Sequence, residues 1–382
     1  MFVAIAKFSG ITVFLTYFRL AENTHLSTAQ TAQGARTFGV IRPKINKKLS
    51  IMADLVKRQH FVPRTYLKHF AVAKGQEYLI SVLPSNEETV DKIFESNIKN
   101  IAVERNLYTL PGETVEQKMA VEKFYSDEFE QHYNTIYDIL VDPNKNKISQ
   151  AERDLIISTV VTMYYRTTKW INASRGLMNR VFDQVFLLCQ QTGKDYFTFE
   201  GEKISIAGRT LEEFTKDYND QQQPDMILTQ LEVALKLIPL RLKNDAIMVV
   251  KLDEENGDEF ITSDNPVIAS NLSERRFMPF DPKNTLKLPL DNKHMLMLIP
   301  EGIAGQEDLI FRRTTKSAFS TMDRLVGNFE QMNNSEKFIF GSNRALKSYL
   351  KTKKETEDPI QEEDKKLESM ADFLKRIDEL KK

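Results

Sequence analysis

At 382 residues the chain is long enough to bury a sizeable core, and its 41% hydrophobic and 28% charged side chains argue against global disorder or a membrane-embedded protein. With 53 basic against 54 acidic side chains the net charge is −1, so no global field draws it to nucleic acid or an anionic membrane. The lone cysteine, Cys189 in the apolar run VFLLC, rules out an intramolecular disulfide and a cysteine-based zinc finger, and reads as core filler in a reducing, cytoplasmic setting.

Residues 1–51 differ in character from the rest. The apolar FSGITVFLTYF is too short to span a bilayer, and its basic residues follow rather than precede it, which departs from a secretory signal. The segment is expected to be disordered, or an extension upstream of a natural start at Met52. A single α+β domain is expected over 55–350, with a charged tail from 351 to 382.

In chain order, Pro63 has the fixed φ of a first helical turn and predicts a short helix over Arg64–Ala71, with Tyr66, Leu67 and Phe70 inward. EYLISVL predicts a strand, and the stretch from Ile93 through IKNIAVERN a short helix before the extended LYTL. Apolar residues from Met119 to Leu140 predict one long helix over Glu116–Leu140. Ser149 with Glu152 three positions on forms a capping box that opens the next helix, through Trp170. A further helix is expected around Leu177–Cys189, a hairpin or short strand at GEKISIAG, and a helix opened by Pro224. AIMVVKL, EFITS, TLKLPL and HMLMLIP then predict strands separated by ENGDE, SDNP and LDNK turns, in antiparallel pairs. Lys316–Gln331 predicts a helix, KFIFG a last strand, and Ser342 an N-cap for Asn343–Leu350. In the tail, Leu367, Met370, Leu374 and Ile377 recur at helical spacing, so its end can form an amphipathic helix suited to self-association. The fold class is α+β: a helical N-terminal half packed with a mixed, largely antiparallel sheet.

Four stretches, QHFVPRTYL, AVERNLYTL, FITSDNPV and FIFGSNRALK, together with Arg166 in YYRTTKW, resemble a bacterial domain-of-unknown-function family. That family is marked by an N-terminal QHxVPxxYLxxF and a later SDNPV. The resemblance covers most of Lys57–Leu350 and implies one continuous domain; it brings no settled activity.

The candidate site residues come from these stretches. His60 offers a neutral imidazole, able to act as a base or metal ligand, or simply to bond a helix end. Arg64 presents a donor fork for phosphate or carboxylate, or a partner for Glu104 or Glu122. Its spacing to His69, an R-x4-H pattern, is a weak signal. Glu104, Glu122 and Asp264 could share a divalent cation such as magnesium. Asp264 equally suits an Asx turn ahead of the stiff Asn265–Pro266 step. Glu128 and His132, four apart, read as a surface ion pair, and Asn343 with Arg344 as a capped helix start. No phosphate loop, dinucleotide fingerprint, His-Glu-x-x-His or nucleophile elbow occurs.

The expected function is an intracellular hydrolase acting on a phosphoester or nucleic-acid-like substrate. Arg64 and Arg166 would hold the anion, His60 would move a proton, and the three carboxylates would act directly or through a metal. Its rival is a non-catalytic binding or regulatory domain whose motif residues form a structural ion-pair network. The expected partner is an anionic small molecule or nucleic acid, with no membrane.

Overall fold

The computed structural model describes residues 55–199, 201–255, 257–271, 279–302, 307–316 and 318–355. The expected extension over 1–51, the start at Met52 and the amphipathic tail helix lie outside the described residues.

The chain begins with β1 (Arg58–His60), α1 (Arg64–Leu67), β2 (Val72–Lys74), β3 (Glu77–Pro84), β4 (Phe94–Asn97) and β5 (Val103–Arg105). Helices follow: α2 (Val115–Lys118), α3 (Ala120–Glu128), α4 (Tyr133–Val141), α5 (Gln150–Tyr165) and α6 (Thr168–Thr192). A small hairpin of β6 (Tyr196–Phe199) and β7 (Glu202–Ser205) leads into α7 (Leu211–Asn244). The last third carries β8 (Ala246–Lys251), β9 (Thr262–Ser263), β10 (Ile268–Ser270), β11 (Thr285–Pro289), β12 (His294–Ile299) and β13 (Ile310–Thr314). It ends with α8 (Ala318–Asn334), β14 (Phe338–Gly341) and α9, residues 343–355. This is an α+β fold, helical in its first half with mixed sheets later.

One five-stranded sheet has the order β10-β11-β12-β8-β13, antiparallel except for the parallel β8–β13 pair. Alternation along these strands decides its faces. Ile247, Val249, Leu286, Leu288, Leu296 and Leu298 point into the main core, where they join the helices. Val250 and Met295, with Met248 and Met297, point the other way and pack with Phe260. Gly327 of α8 lies over that second face: a Cβ there would sit 3.0 Å from Met295 Cε and 3.1 Å from a Phe260 ring carbon, so glycine permits the close approach. In the second sheet, β4 runs along one edge of β3, while β2 and then β14 occupy the other, and β9 pairs with β14. Leu346, Tyr349 and Leu350 of α9 pack on Leu83, Ile261 and Ile339 of this region.

Several elements differ from the sequence-based expectation for identifiable reasons. The helix expected from Ile93 is instead two strands, because FESN pairs with β3 and the chain then turns through positive φ at Ala102 (48°) and Asn106 (56°). The long helix expected over Glu116–Leu140 is interrupted at Met119 and Phe129; at Phe129 the backbone takes φ −129°, ψ −51° and a 3₁₀ turn follows. Helix α7 starts from the Thr210–Glu213 capping box and runs through both Pro224 and Pro239, rather than beginning at Pro224. Strand β13 was not foreseen; its FRRT sequence hides a strand behind two arginines. The Ser149–Glu152 capping box and the Ser342 cap are present as expected.

Arginines finish two of the helix ends. Arg153 of α5 donates to the carbonyls of Leu242 (3.0 Å), Asp245 (2.5 Å) and Glu307 (3.0 Å), so its guanidinium meets the C-terminal end of α7. Arg312 of β13, half-buried, does the same for α4 through the carbonyls of Ile139 and Leu140, and also meets the Lys145 carbonyl beyond the helix. A helix leaves its last four carbonyls open, and a cation there also meets the negative end of the dipole. Arg153→Met keeps the apolar stem and removes the donors, stranding buried carbonyls. Chemical denaturation is expected to show a loss of about 3 kcal/mol, and Arg153→Lys is expected to recover little of it because an ammonium lacks the planar fork.

Candidate functional site

The QHFVPRTYLKHF segment enters the fold as an edge ribbon. β1 pairs antiparallel with β5, placing Gln59 opposite Glu104 and His60 opposite Val103. Gln59 is fully buried: its Oε1 accepts from the Tyr108 amide at 2.7 Å. Pro63 then heads α1, and Tyr66 and Leu67 go into the core, where the Tyr66 hydroxyl meets Thr262 Oγ1 at 2.6 Å.

Arg166 stands at the centre of what the motifs build. It is the C-terminal cap of α5 and only 2% exposed. Its Nη2 donates to the His60 carbonyl and to Glu130 Oε1, both at 2.7 Å. The guanidinium lies 4.4 Å from the Tyr125 ring centre, within cation–π range, and the Tyr108 hydroxyl donates to the Arg166 carbonyl at 2.5 Å. Burial by itself would lower the Arg166 pKa, but Glu130 and the two tyrosines outweigh it and hold the group above its ordinary value. The break at Phe129 is what turns Glu130 inward from the α3–α4 line. Beside this pair is a cavity of about 10 Å³ lined by Pro63, Glu130, Tyr133, Thr159, Thr162 and Arg166. That is room for one water at most. The Tyr133 hydroxyl, Thr159 Oγ1 and Arg166 Nε have no protein partner, so a single water has polar groups to meet there.

Around Arg166, His60 and Glu122 are half-buried and shifted in ways that favour their neutral forms. Burial, then the nearby Arg64 cation, lowers His60 from 6.5 to about 4, against a smaller opposing pull from Glu130 and the carbonyls of Ile98 and Lys99. Burial raises Glu122 to about 7; Arg166 draws it down and Glu130 pushes it further up. His60 Nε2 and Glu122 Oε2 are both buried without a partner. Arg64 is exposed and forms no ion pair among the described residues, so it pairs with neither Glu104 nor Glu122. Of the six sequence candidates, the fold thus gathers His60, Arg64, Glu122 and Arg166.

Glu104 and Asp264 sit elsewhere, at Lys337. Glu104 Oε1 bonds the Lys337 ammonium at 3.3 Å. Asp264 is 1% exposed and accepts from the amides of Glu336 (2.9 Å), Lys337 (2.7 Å) and Phe338 (3.1 Å), fastening the SDNP turn to the chain entering β14. Burial raises its pKa, with the three amides pulling the other way. The three carboxylates set around a divalent cation do not meet: no group of three or more His, Cys, Asp or Glu among the described residues could hold a metal ion.

Residues that the sequence-based reading missed carry much of the polar interior. Glu130 was passed over for its neighbours Glu128 and His132, which are exposed and form no ion pair with each other. Its position between core residues Phe129 and Tyr133 was the available signal. Asp291, read only as part of a turn, accepts from the Tyr137 hydroxyl (2.6 Å), His294 Nδ1 (2.9 Å) and the Lys293 and His294 amides. His69 stacks on Tyr137 with ring centres 3.6 Å apart. Arg344, read as part of a capped helix start, is largely exposed and pairs with the buried Glu259. Cys189 is buried as expected, its thiol directed at the Tyr196 carbonyl.

Residues 58–345 match the model of a family described as a protein of unknown function, DUF4238. No curated protein and no solved structure matches significantly.

The shifts at His60 and Glu122 act on stability in opposite directions. Between pH 6.5 and about 4 the unfolded chain protonates His60 while the folded chain does not, so stability falls as pH drops through that window. Between pH 4.5 and about 7 the folded chain keeps the Glu122 proton that the unfolded chain has released, so stability falls as pH rises. Glu122→Gln should therefore gain on the wild type as pH is raised from 4.5 to about 7, and His60→Gln should lose the acid-side decline. Urea midpoints measured across this range check both; profiles parallel to the wild type would mean that neither group is shifted by folding.

Proposed function

This chain belongs to the DUF4238 family of unknown function, and from that premise we propose that it is a non-catalytic binding or regulatory domain whose polar motif residues brace the fold. The observation that carries this reading is the condition of Arg166. The cation that would have held a substrate anion is occupied by Glu130, the His60 carbonyl and the Tyr125 face, beside a gap of about 10 Å³. Small-molecule sites are typically about 300–1,000 Å³. Asp264 is likewise occupied, by three backbone amides. Of the two arginines expected to hold an anion, Arg64 is the one open to solvent, so an anionic ligand at that rim is the class it fits.

One observation favours the second reading, a hydrolase of phosphoesters. His60 stays neutral with Nε2 bare, next to Arg64, and Glu122 is held protonated towards neutral pH, so a base and an acid are available in one region. Each would have to reach a substrate at the partly exposed rim, outside the closed Arg166 cavity.

The two readings separate in a turnover assay. The purified chain, with magnesium, is incubated with single- and double-stranded nucleic acid and with an aryl phosphodiester, alongside His60→Ala. Product formation at the level of the blank is expected from both proteins. Turnover by the wild type that falls by about tenfold or more in His60→Ala would overturn the bracing role in favour of the hydrolase.

A further inference from the structure

Helix α8 is turned inside out. Its buried positions are Ser320, Gly327, Asn328 and Gln331. These side chains serve the irregular backbone between β8 and β10. Ser320 Oγ accepts from the Asp253 amide at 2.9 Å. Asn328 accepts from the Ile261 amide and donates to the Glu259 carbonyl, both at 2.9 Å. Gln331 donates to the Pro266 carbonyl at 2.5 Å and accepts from Ser263 Oγ at 2.7 Å. The outward side is apolar: Phe319 is 76% exposed, Met322 59%, Val326 47% and Phe329 53%. Scattered exposed apolar residues need no explanation, but four in one row on a helix whose inward face is polar leave the hydrophobic stripe uncovered.

The spacing of that row points to what covers it. Phe319, Met322, Val326 and Phe329 are separated by three, four and three residues, the seam of a two-helix contact. The C-terminal segment outside the described residues repeats the same steps at Leu367, Met370, Leu374 and Ile377. The point from which that segment departs is also close by. Helix α9 lies against α8 through the Arg324–Ser348 hydrogen bond and the contact of Tyr349 with Met332, and it ends at 355. From there to Leu367 the chain can extend about 40 Å, against about 15 Å for the length of the stripe.

We infer that residues 367–380 dock as a helix on the Phe319–Phe329 face of α8 in the same chain. The contact covers two apolar seams at once. A short tether sets an effective concentration in the millimolar range, which favours the chain's own tail over a second copy at ordinary protein concentrations. The docked tail would occupy the largest apolar helix face that α8 offers a partner, so it acts as a built-in competitor for that surface.

Hydrogen exchange on the full-length chain tests this. Amides of 367–380 are expected to exchange at least about tenfold more slowly than an unstructured segment, equally at low and high protein concentration. Met322→Asp combined with Phe329→Asp should remove that protection. Both side chains are exposed, so amides of the central strands, such as Val249 and Leu296, should stay protected and serve as the folding control. Unprotected exchange of 367–380 in the wild type, or equal protection in the variant, overturns the docking. Protection that rises with protein concentration also overturns it, since it assigns the stripe to a second copy.

Discussion

A guanidinium removed from water must be given charge and hydrogen-bond acceptors, and the burial of Arg166 imposes this demand on three separate parts of the chain. Glu130 supplies the counter-charge, the His60 carbonyl supplies an acceptor, and Tyr125 supplies a negative ring face. Two of them sit where the backbone departs from regularity, Glu130 after the break at Phe129 and His60 at the end of the β1 ribbon, whereas Tyr125 lies within α3; Arg166 itself caps α5 at its junction with α6. A buried pair of this kind contributes little relative to a well-packed apolar substitute, yet losing one member is costly, because the other is left charged without water. Arg166 and Glu130 therefore act on the register between the entry segment and the helices more than on net stability.

The same economy recurs across the molecule. Buried polar side chains are bonded mainly to backbone groups that regular structure leaves open. Arg153 and Arg312 meet the carbonyl ends of α7 and α4. Asp264 gathers three successive amides, and Asn328 and Gln331 serve the stretch around FITSDNPV. This explains why polar residues occur where packing alone favours apolar ones: the loops they fasten are themselves buried. It also accounts for α8, whose polar side is the useful one to bury and whose apolar side is consequently turned outward.

Much of the scaffold was legible in the sequence because it depends on local chemistry. Strands such as HMLMLI and the Ser149–Glu152 cap follow from alternation and from a single capping geometry. What escaped depends on contacts distant in sequence. The break at Phe129 is followed by Glu130, whose partner Arg166 is 36 positions away, and FEQH holds no Gly or Pro to mark the break. Strand β13 is paired by β8, and its arginines disguise it. Asp264 read equally as a local Asx turn or a site residue, but its carboxylate accepts from the amides of residues 336–338, partners too distant in sequence for any local pattern to reveal. His60 and Glu122 lie beside Arg166, with Arg64 next to His60, a grouping that periodicity could not foresee. The choice between bracing and chemistry rests on cavity size, which no spacing encodes.

The central claim is that Arg166 and Glu130 form one structural unit. A double-mutant cycle on folding stability, using Arg166→Met, Glu130→Gln and the combined variant, measures it directly. Each single change should cost several kcal/mol, the combined change scarcely more than either, with a coupling of about 2 kcal/mol or greater. Additive losses with coupling near zero would contradict the account, because they would mean that the two side chains do not depend on each other in the folded chain.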